Sequence, residues 1–245
     1  MTAGKIKLAL LFSFLPLLTA CASSNSRDPL EPMNRAVYQF NDKADAYVMK
    51  PVAEGYRAIT PQPVRTGVRN FFNNLDDMSS TVNYALQAKP LPSFYSFSRV
   101  VLNSTAGILG VFDLTGEKQR RFAKTDFGET LARWGWKNSA YLVLPLYGPS
   151  TVRDGIGEVA DTAFRNEIIY SNPHSDRRSL SGVTSAISTR ESLLGVEDTI
   201  KDAALDPYAY TRDGWLQVRA KTTGDDTGHS NPEDDNIDNI DDLMQ

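Results

Sequence analysis

The sequence predicts a mainly α-helical domain with little or no β-sheet. Helix-start signals, in which a capping residue precedes proline, recur along the chain. After the first two signals, apolar residues follow at spacings of three and four, which place them on one face of a helix. Only Tyr141–Leu144 has the composition of a strand, and Pro145 and Gly148-Pro149 bound it tightly. This evidence is too thin to predict a sheet of any size.

The first helix is predicted to begin with Asp28 as its N-cap. Pro29 then takes the first helical position, and Glu31 stands three residues after the cap. Pro51 is expected to break or end the helix, because proline has no N–H to donate and its ring crowds the preceding turn. The apolar stripe of this helix consists of Val37, Phe40, Ala44, Tyr47 and Val48.

A second helix is predicted to start at Thr60-Pro61, where the same signal recurs. A third helix is predicted over Asp77–Gln87, and Lys89–Pro92 interrupts it. The apolar face of the second helix carries Val64, Val68, Phe71, Phe72 and Leu75, and its polar face carries Arg65, Arg69 and Asn73.

Helical patterns continue through the second half of the chain. They cover Ser93–Asn103, Ser150–Phe164, Ser179–Leu194 and Asp206–Ala220, the last with Asp206-Pro207 as a cap before proline. From Thr222 onward, Gly, Asp, Asn and Ser dominate and the apolar periodicity is lost. We therefore expect a folded domain over residues 28–221 and a disordered acidic tail over residues 222–245.

The N-terminus has the layout of a bacterial lipoprotein signal peptide over residues 1–20. Lys5 and Lys7 precede an apolar run, Leu8–Leu18, which is too short to cross a hydrocarbon core of roughly 30 Å. The sequence Leu18-Thr19-Ala20-Cys21 resembles a lipobox, so Cys21 is the expected lipidation site and residues 21–27 a lipidated tether. Ala22 follows in place of the Asp that retains such lipoproteins in the inner membrane, which favours the outer membrane.

Charge argues against a nucleic-acid partner. The formal net charge is −4, and eight acidic residues with no Lys or Arg lie between Asp225 and the end. This leaves 22 acidic and 26 basic residues up to Lys221. So small a basic excess does not suit phosphate neutralisation along a nucleic acid.

Evidence for an enzyme is poor. The two histidines, His174 and His229, lie in a polar loop and in the tail, and no lipase-type G-x-S-x-G motif occurs. Lipidation consumes the only cysteine, Cys21, so neither a cofactor nor a metal site is expected. Three carboxylates share a predicted helix face, which is typical of a solvated surface: Asp154, Glu158 and Asp161.

Two apolar segments each leave two interpretations open. Thirteen consecutive uncharged residues run from Val100 to Phe112, which suits either a buried core helix or an interfacial, re-entrant segment. The aromatic cluster around Trp134-Gly135-Trp136, with Tyr141 and Tyr147, suits either the membrane–water boundary or the core.

Seven segments in order resemble the MlaA/VacJ family of phospholipid-binding lipoproteins, from about Asp28 to Arg219. They are DPLEPMNRAVYQFN (28–41), PVAEGYRAITPQPVRTGVRNFFNNL (51–75), FSRVVLNSTAGILGVFDL (97–114), FGETLARWG (127–135), YLVLPLYGPSTVRDGIG (141–157), TRESLL (189–194) and DPYAYTRDGWLQ (206–217).

The resemblance implies a multi-helix, ring-shaped domain lying in the inner leaflet of the outer membrane, anchored on its periplasmic side. An amphipathic channel would let mislocalised phospholipids leave the outer leaflet, which preserves lipid asymmetry. Trimeric porins and a soluble periplasmic lipid carrier are the implied partners, together with phospholipids and the outer membrane itself. No covalent chemistry is implied. The alternative is a structural or porin-scaffolding lipoprotein that transports nothing.

Two sets of site residues follow as hypotheses from this resemblance. Contact with acyl chains is expected of Leu102, Ile108, Leu109, Val111 and Phe112, because they lie in a run that carries no charge and contains flexible glycines. Contact with headgroup phosphates is expected of Arg65, Arg69 or Arg99, because guanidinium groups bind phosphate in a bidentate manner.

Overall fold

The computed structural model describes residues 27–116, 120–169, 175–195 and 204–225. The expected signal peptide, Cys21 with its tether, both histidines and the tail beyond residue 225 lie outside these residues. Within them the chain is mainly helical with one two-stranded sheet, so the predicted fold class is confirmed. Among the described residues, the helices are too short or too polar for any of them to cross a membrane.

The first described element is a continuous helical segment whose middle turn is π-helical. It comprises α1 (Glu31–Ala44), a π turn (Asp45–Met49) and α2 (Lys50–Ile59). The prediction that Pro51 ends the helix is wrong. Pro51 stands in the first turn of α2, where its missing N–H costs least, and the wider π turn before it removes the steric conflict with the preceding carbonyl groups.

The predicted N-cap at Asp28 is also wrong, because α1 is capped by the backbone at Leu30. The buried carboxylate of Asp28 instead accepts a hydrogen bond from Asn34 Nδ2 at 2.8 Å and another from the Tyr208 hydroxyl. Arg212 Nη1 approaches the same carboxylate at 3.3 Å. Asp28 therefore ties the start of α1 to the last helix of the domain.

One long helix, α3 (Gln62–Leu86), replaces the two helices that were predicted to be separate at Asp77. The polar residues in its middle, among them Asp77, Ser79 and Ser80, are buried against neighbouring elements and do not mark a boundary. The next helix, α4 (Pro90–Thr105), starts within the predicted interruption and covers the predicted helical pattern. It packs along α3 as an antiparallel partner.

A short helix and a hairpin follow. Helix α5 (Phe127–Arg133) was not predicted. Strand β1 (Tyr141–Leu144) covers the one segment with the composition of a strand, and it pairs antiparallel with β2 (Gly148–Thr151), which no sequence signal indicates. Pro149 lies opposite Val143 in this ladder. A proline is tolerated there because a two-stranded sheet has a free edge to which no N–H must donate.

Three helices complete the described chain: α6 (Val152–Ile169), α7 (Ser175–Ser192) and α8 (Pro207–Thr223). All three were predicted with ends shifted by a few residues. The predicted cap of α8 is confirmed, since Asp206 Oδ1 accepts a hydrogen bond from the backbone N–H of Ala209 at 3.2 Å.

The last helix extends beyond the predicted domain end at residue 221. Thr222 and Thr223 are helical, and Gly224 ends α8 in the left-handed conformation with φ of 64°. Asp225, counted with the acidic tail, then accepts hydrogen bonds from Arg153 Nη1 at 2.9 and 3.1 Å. The folded body therefore includes the first acidic residue of that tail.

The elements close a circuit. Helix α1 packs on β1, the hairpin packs on α6, α6 on α3, α3 on α7, and α7 on α2, which continues back into α1. A small hydrophobic cluster stabilises the contact between the hairpin and α8, and it is formed by Tyr141, Val143 and Tyr208. The circuit encloses a central cavity.

Candidate functional site

The central cavity has a volume of about 900 Å³, and every element of the circuit except α2 and β1 contributes to its wall. The residues that line it are Asn41, Asp45, Met49, Phe71, Phe72, Leu75, Asp76, Leu146–Pro149, Glu158, Thr162, Arg165, Asn166, Ser181, Gly182, Ser185, Ala186, Thr189, Arg190, Leu193 and Trp215. Charged, amide and hydroxyl groups thus share one wall with phenylalanine, leucine and tryptophan. The cavity is amphipathic.

Two arginines supply the positive charge of the central cavity. Arg165 Nη2 lies 2.7 Å from Glu158 Oε1, and Arg165 Nη1 lies 3.6 Å from Asp76 Oδ1. Lys124 Nζ lies 3.1 Å from Asp76 Oδ2, so a second cation supports this carboxylate. Arg190 faces Asp45 across the join between α7 and the π turn. Each cation is held in place by an acid, which fixes its position before any ligand arrives.

The hairpin turn reaches the cavity because α1 holds it. Asn41 Nδ2 donates to the carbonyl of Leu144 at 2.9 Å, and Asn41 Oδ1 accepts from the backbone N–H of Leu146 at 2.8 Å. Two helical turns earlier, Asn34 Oδ1 accepts from the backbone N–H of Val143 at 2.9 Å. Two asparagines on one face of α1 therefore fix the position of β1 and its turn.

An apolar cleft adjoins the central cavity on its α3 side. It has a volume of about 1170 Å³. It is lined by Gln62–Val64, Thr66–Val68, Asn70–Phe72, Val111, Phe112, Ser181 and Thr184. Three of these residues, Phe71, Phe72 and Ser181, also line the central cavity.

Polar and apolar residues have exchanged their usual places in this fold. Among the described residues, 22 polar or charged residues are buried against seven hydrophobic ones, while 30 large hydrophobic side chains are exposed. Helix α4 illustrates the pattern. It buries Ser96, Arg99 and Asn103 and exposes a stripe with helical spacing: Leu91, Phe94, Phe97, Val101 and Leu102. An exposed apolar surface of this extent marks an interaction site for a membrane, another protein or an apolar ligand.

The five expected lipid-contact residues are all exposed, at the end of α4 and in the turn that follows it: Leu102, Ile108, Leu109, Val111 and Phe112. Ile108 and Leu109 adopt left-handed backbone conformations, with φ of 52° and 57°. This geometry turns the chain back so that Gly110 lies close to Asn74, where a Cβ would stand 2.6 Å from the Asn74 Cβ. Of the two interpretations of the uncharged run, exposure favours the interfacial one.

The expected headgroup arginines do not line the central cavity. Arg65 binds Glu191 on α7, and Arg69 is exposed on α3. Arg99 is 2% exposed, with its Nε atom 3.2 Å from Asp77 Oδ2. The headgroup role of these three residues stays a prediction, and the geometry of Arg99 does not favour it. Arg165 and Arg190 occupy the place that was expected of them.

The aromatic cluster divides between the two interpretations. Tyr141 is buried in the small core. Trp134, Trp136 and Tyr147 are exposed, and Trp134 Nε1 donates to the carbonyl of Leu86 at 3.1 Å. Trp134 and Trp136 thus present an apolar body at the surface, which suits a membrane–water boundary, whereas Tyr147 lines the central cavity.

The interpretation of Asp154, Glu158 and Asp161 as a solvated face is wrong for two of the three. Asp154 and Asp161 are buried, since α6 packs against α3 and α5 on that face. Asp161 accepts hydrogen bonds from Asn83 Nδ2 at 2.8 Å and from the backbone N–H of Phe127 at 2.7 Å. Burial raises the pKa of the Asp161 carboxyl above its ordinary value.

A half-buried arginine on α8 joins three carboxylates next to the cavity wall. Arg219 lies 2.7 Å from Asp126, 3.0 Å from Glu129 and 2.9 Å from Asp154. Burial and the neighbouring charge of Asp126 raise the pKa of Glu129. Burial opposes ionisation of Asp154 as well, yet hydrogen bonds from Arg219 and Arg153 hold the pKa of its carboxyl below the ordinary value. Within the described ranges, no group of three or more His, Cys, Asp and Glu residues is placed to hold a metal ion.

Comparison with known proteins reveals close similarity over the whole domain. The family model of the MlaA lipoprotein matches residues 26–222. Proteins from Shigella flexneri and Escherichia coli K12, both named intermembrane phospholipid transport system lipoprotein MlaA, are 35% identical over 223 residues, 87% of either chain. An uncharacterized protein of Rickettsia conorii is 33% identical over 192 residues, 78% of this chain and 76% of its own.

A solved structure has the same fold. It concerns the structural basis for maintenance of bacterial outer membrane lipid asymmetry, and it superposes with a TM-score of 0.69 at 32% identity. The match covers 80% of this chain and 98% of that chain.

Proposed function

The chain belongs to the MlaA lipoprotein family, and we propose that it removes mislocalised phospholipids from the outer leaflet of the outer membrane and passes them to a periplasmic carrier. Phospholipid transport and the maintenance of lipid asymmetry are the roles that its relatives are named for. The observation that carries the proposal is the ring itself, which has a polar interior, an apolar exterior and an amphipathic central cavity.

The exterior suits hydrocarbon. Transfer of apolar surface from water to an acyl environment is favourable by about 25 cal/mol per Å². The exposed stripe on α4 and the turn behind it would gain this free energy in a leaflet and lose it in water. Helices suit the same location because their backbone groups are satisfied internally. We therefore infer that the ring lies in the leaflet with these residues in contact with acyl chains.

The interior suits a phospholipid headgroup. Arg165 and Arg190 line the central cavity with positive charge, and guanidinium groups bind phosphate oxygens through charge-assisted hydrogen bonds. Asp76 and Glu158 compete for Arg165, which keeps headgroup binding weak enough for release. A conduit requires such a balance, since a tightly held lipid would block it.

The remaining parts of the proposal rest on the sequence and the family resemblance. Lipid chains on Cys21 anchor the domain at the periplasmic face, because two or three acyl chains give stable membrane attachment where one does not. A trimeric porin and a soluble periplasmic carrier are the proposed partners. The protein acts without enzymatic chemistry, in keeping with the relatives named as transport-system lipoproteins.

Filling the central cavity tests the proposal. Ala186→Trp adds an indole ring to the cavity wall, and Val183→Trp adds the same ring to an exposed position on the same helix that lines neither the cavity nor the cleft. Each variant is expressed in a deletion strain at matched protein level. Phosphatidylethanolamine in the outer leaflet is then quantified with a membrane-impermeant amine reagent.

We expect Ala186→Trp to leave outer-leaflet phosphatidylethanolamine as high as in the deletion strain, and Val183→Trp to restore the wild-type level. Full restoration by Ala186→Trp would contradict transport through the cavity. Such a result would favour the alternative of a scaffolding lipoprotein.

A further inference from the structure

We propose that the apolar cleft is an acyl-chain subsite, which holds a fatty-acyl tail of the phospholipid in transit while the headgroup occupies the central cavity. This inference rests on the proposed function and adds a second compartment to it. The cleft lies between the start of α3, the turn after α4 and α7.

The chemistry of the cleft selects hydrocarbon. Its lining includes Val64, Val68, Val111 and Phe112 and no charged side chain. Its polar groups are hydroxyls and amides, and one of them, Asn70 Nδ2, is engaged by the carbonyl of Val111 at 3.0 Å. The volume of about 1170 Å³ lies above the roughly 300–1,000 Å³ of ordinary small-molecule pockets, which leaves room for a long acyl chain. A flexible chain of methylene groups matches both the size and the lack of charge.

The cleft and the central cavity share part of their walls. Phe71 and Phe72 line both spaces, as does Ser181 from the opposite side. The two phenylalanine rings pack edge to face with centroids 5.4 Å apart. Because adjacent residues of a helix point about 100° apart, these rings form a lip between the two spaces. An amphiphile lying across this lip has charged partners on one side and apolar partners on the other.

Contacts between α3 and the turn after α4 fix the shape of the cleft. Gly67 is buried in its wall, and a Cβ at this position would stand only 2.9 Å from Val111 Cγ1. The missing side chain lets the turn approach α3 closely, and the hydrogen bond from Asn70 holds it there. The cleft therefore keeps its shape without a ligand.

A third pocket provides an internal control. It has a volume of about 420 Å³, is lined by Ala85 and Phe97 among others, and shares no residue with the central cavity. Thr66→Trp fills the acyl cleft, whereas Ala85→Trp places the same ring on the same helix at the unconnected pocket.

The first experiment compares these two variants as full-length protein extracted from outer membranes. We expect Thr66→Trp to lower the phosphatidylethanolamine that co-purifies with the protein at least fivefold and to raise outer-leaflet phosphatidylethanolamine. Ala85→Trp should match the wild type in both. If Thr66→Trp retains and transports lipid like the wild type, the acyl subsite is refuted while the transport proposal stands. If the wild type itself neither retains nor transports lipid, the transport proposal fails.

The second experiment locates the two ends of the lipid. One phosphatidylethanolamine probe carries a diazirine at the end of an acyl chain, and another carries it on the headgroup. We expect the acyl probe to label residues 62–72 and 111–112 and the headgroup probe to label the central cavity. Ala186→Trp should reduce both kinds of labelling. Acyl labelling of the cleft that persists in Ala186→Trp would overturn the inference, because it would assign the cleft to bulk membrane lipid.

Discussion

The guanidinium of Arg190 and the carboxylate of Asp45 form a two-point ion pair, with Nε–Oδ1 and Nη2–Oδ2 distances of 2.6 and 2.8 Å. Arg190 lies on α7 and Asp45 at the start of the π turn. The pair therefore joins α7 to the segment between α1 and α2 at the cavity wall. The next residue, Glu191, binds Arg57 on α2 and Arg65 on α3. Two adjacent residues of α7 thereby close the ring.

Asp45→Asn should weaken this closure. The change leaves the nearly buried guanidinium of Arg190 without its charged partner, and we expect a loss of about 1–3 kcal/mol in the free energy of unfolding. Urea titration in detergent measures it. Glu54→Gln removes an exposed acid from the neighbouring helix and serves as the control, with an expected change below about 0.5 kcal/mol. Equal effects of the two substitutions would contradict a role of Asp45 in ring closure.

Asp154→Asn should destabilise the domain in a pH-dependent manner. We expect a loss of roughly 3–5 kcal/mol at pH 7, because Arg219 and Arg153 lose a buried partner. The pKa of Asp154 is lower in the folded protein than its ordinary value of 3.8. Its stabilisation is therefore complete above pH 3.8 and is lost as pH falls through the folded pKa. The difference between wild type and variant should shrink below pH 3.8.

Glu129→Gln should show the opposite pH dependence of stability, and it controls for effects of low pH on the protein as a whole. The pKa of Glu129 is raised above 4.5, so its contribution to stability falls as pH rises from 4.5 through the folded pKa. The free energy of unfolding of the variant, relative to that of the wild type, should therefore be higher at pH 7 than at pH 4. A parallel pH dependence of the two variants would contradict these assignments.

Ile108→Asp should weaken the contact between the turn after α4 and the membrane. A carboxylate in hydrocarbon costs about 2.5–3.5 kcal/mol. Because Asp and Asn both tolerate the left-handed backbone of this position better than Ile does, strain does not confound the comparison. Ile108→Asn is the uncharged control. We expect outer-leaflet phosphatidylethanolamine to rise more with Asp than with Asn at equal protein levels; an unchanged level with Asp would argue against lipid contact at Ile108.

Arg165→Gln should slow lipid transport by removing a headgroup partner from the central cavity. We expect a several-fold rise in outer-leaflet phosphatidylethanolamine, since a charge-assisted bond to phosphate contributes more than a neutral one. Arg133→Gln removes an exposed arginine from α5 and should leave the level unchanged. Should both variants behave like the wild type, the phosphate-binding role of Arg165 would be excluded.

Local signals predicted the fold well where they act over a few residues. The cap at Asp206 needs only neighbouring residues, and it is observed. The prediction that Pro51 ends the first helix failed because the sequence carries no signal for a π turn. Asp77 misled because its burial depends on Arg99 and Arg120, which lie 22 and 43 residues away.

The cavity could not be predicted in the same way. Its wall combines residues from Asn41 to Trp215, and no spacing rule relates them. The candidates Arg65 and Arg69 follow from the chemistry of guanidinium groups and lie on a polar helix face that is evident in the sequence. Arg165 and Arg190 lie on helices with less distinct patterns, so only tertiary contacts show that they face the cavity.

The exchange of polar and apolar surfaces makes the surrounding medium part of the folding equilibrium. In plain buffer, the 30 large apolar side chains exposed among the described residues would drive molecules of this protein together, and burying them would compete with the native arrangement. A hydrocarbon environment around them would remove this competition. Detergent choice should change the measured stability as strongly as many substitutions do, and the bilayer that the protein serves is also a condition of its shape.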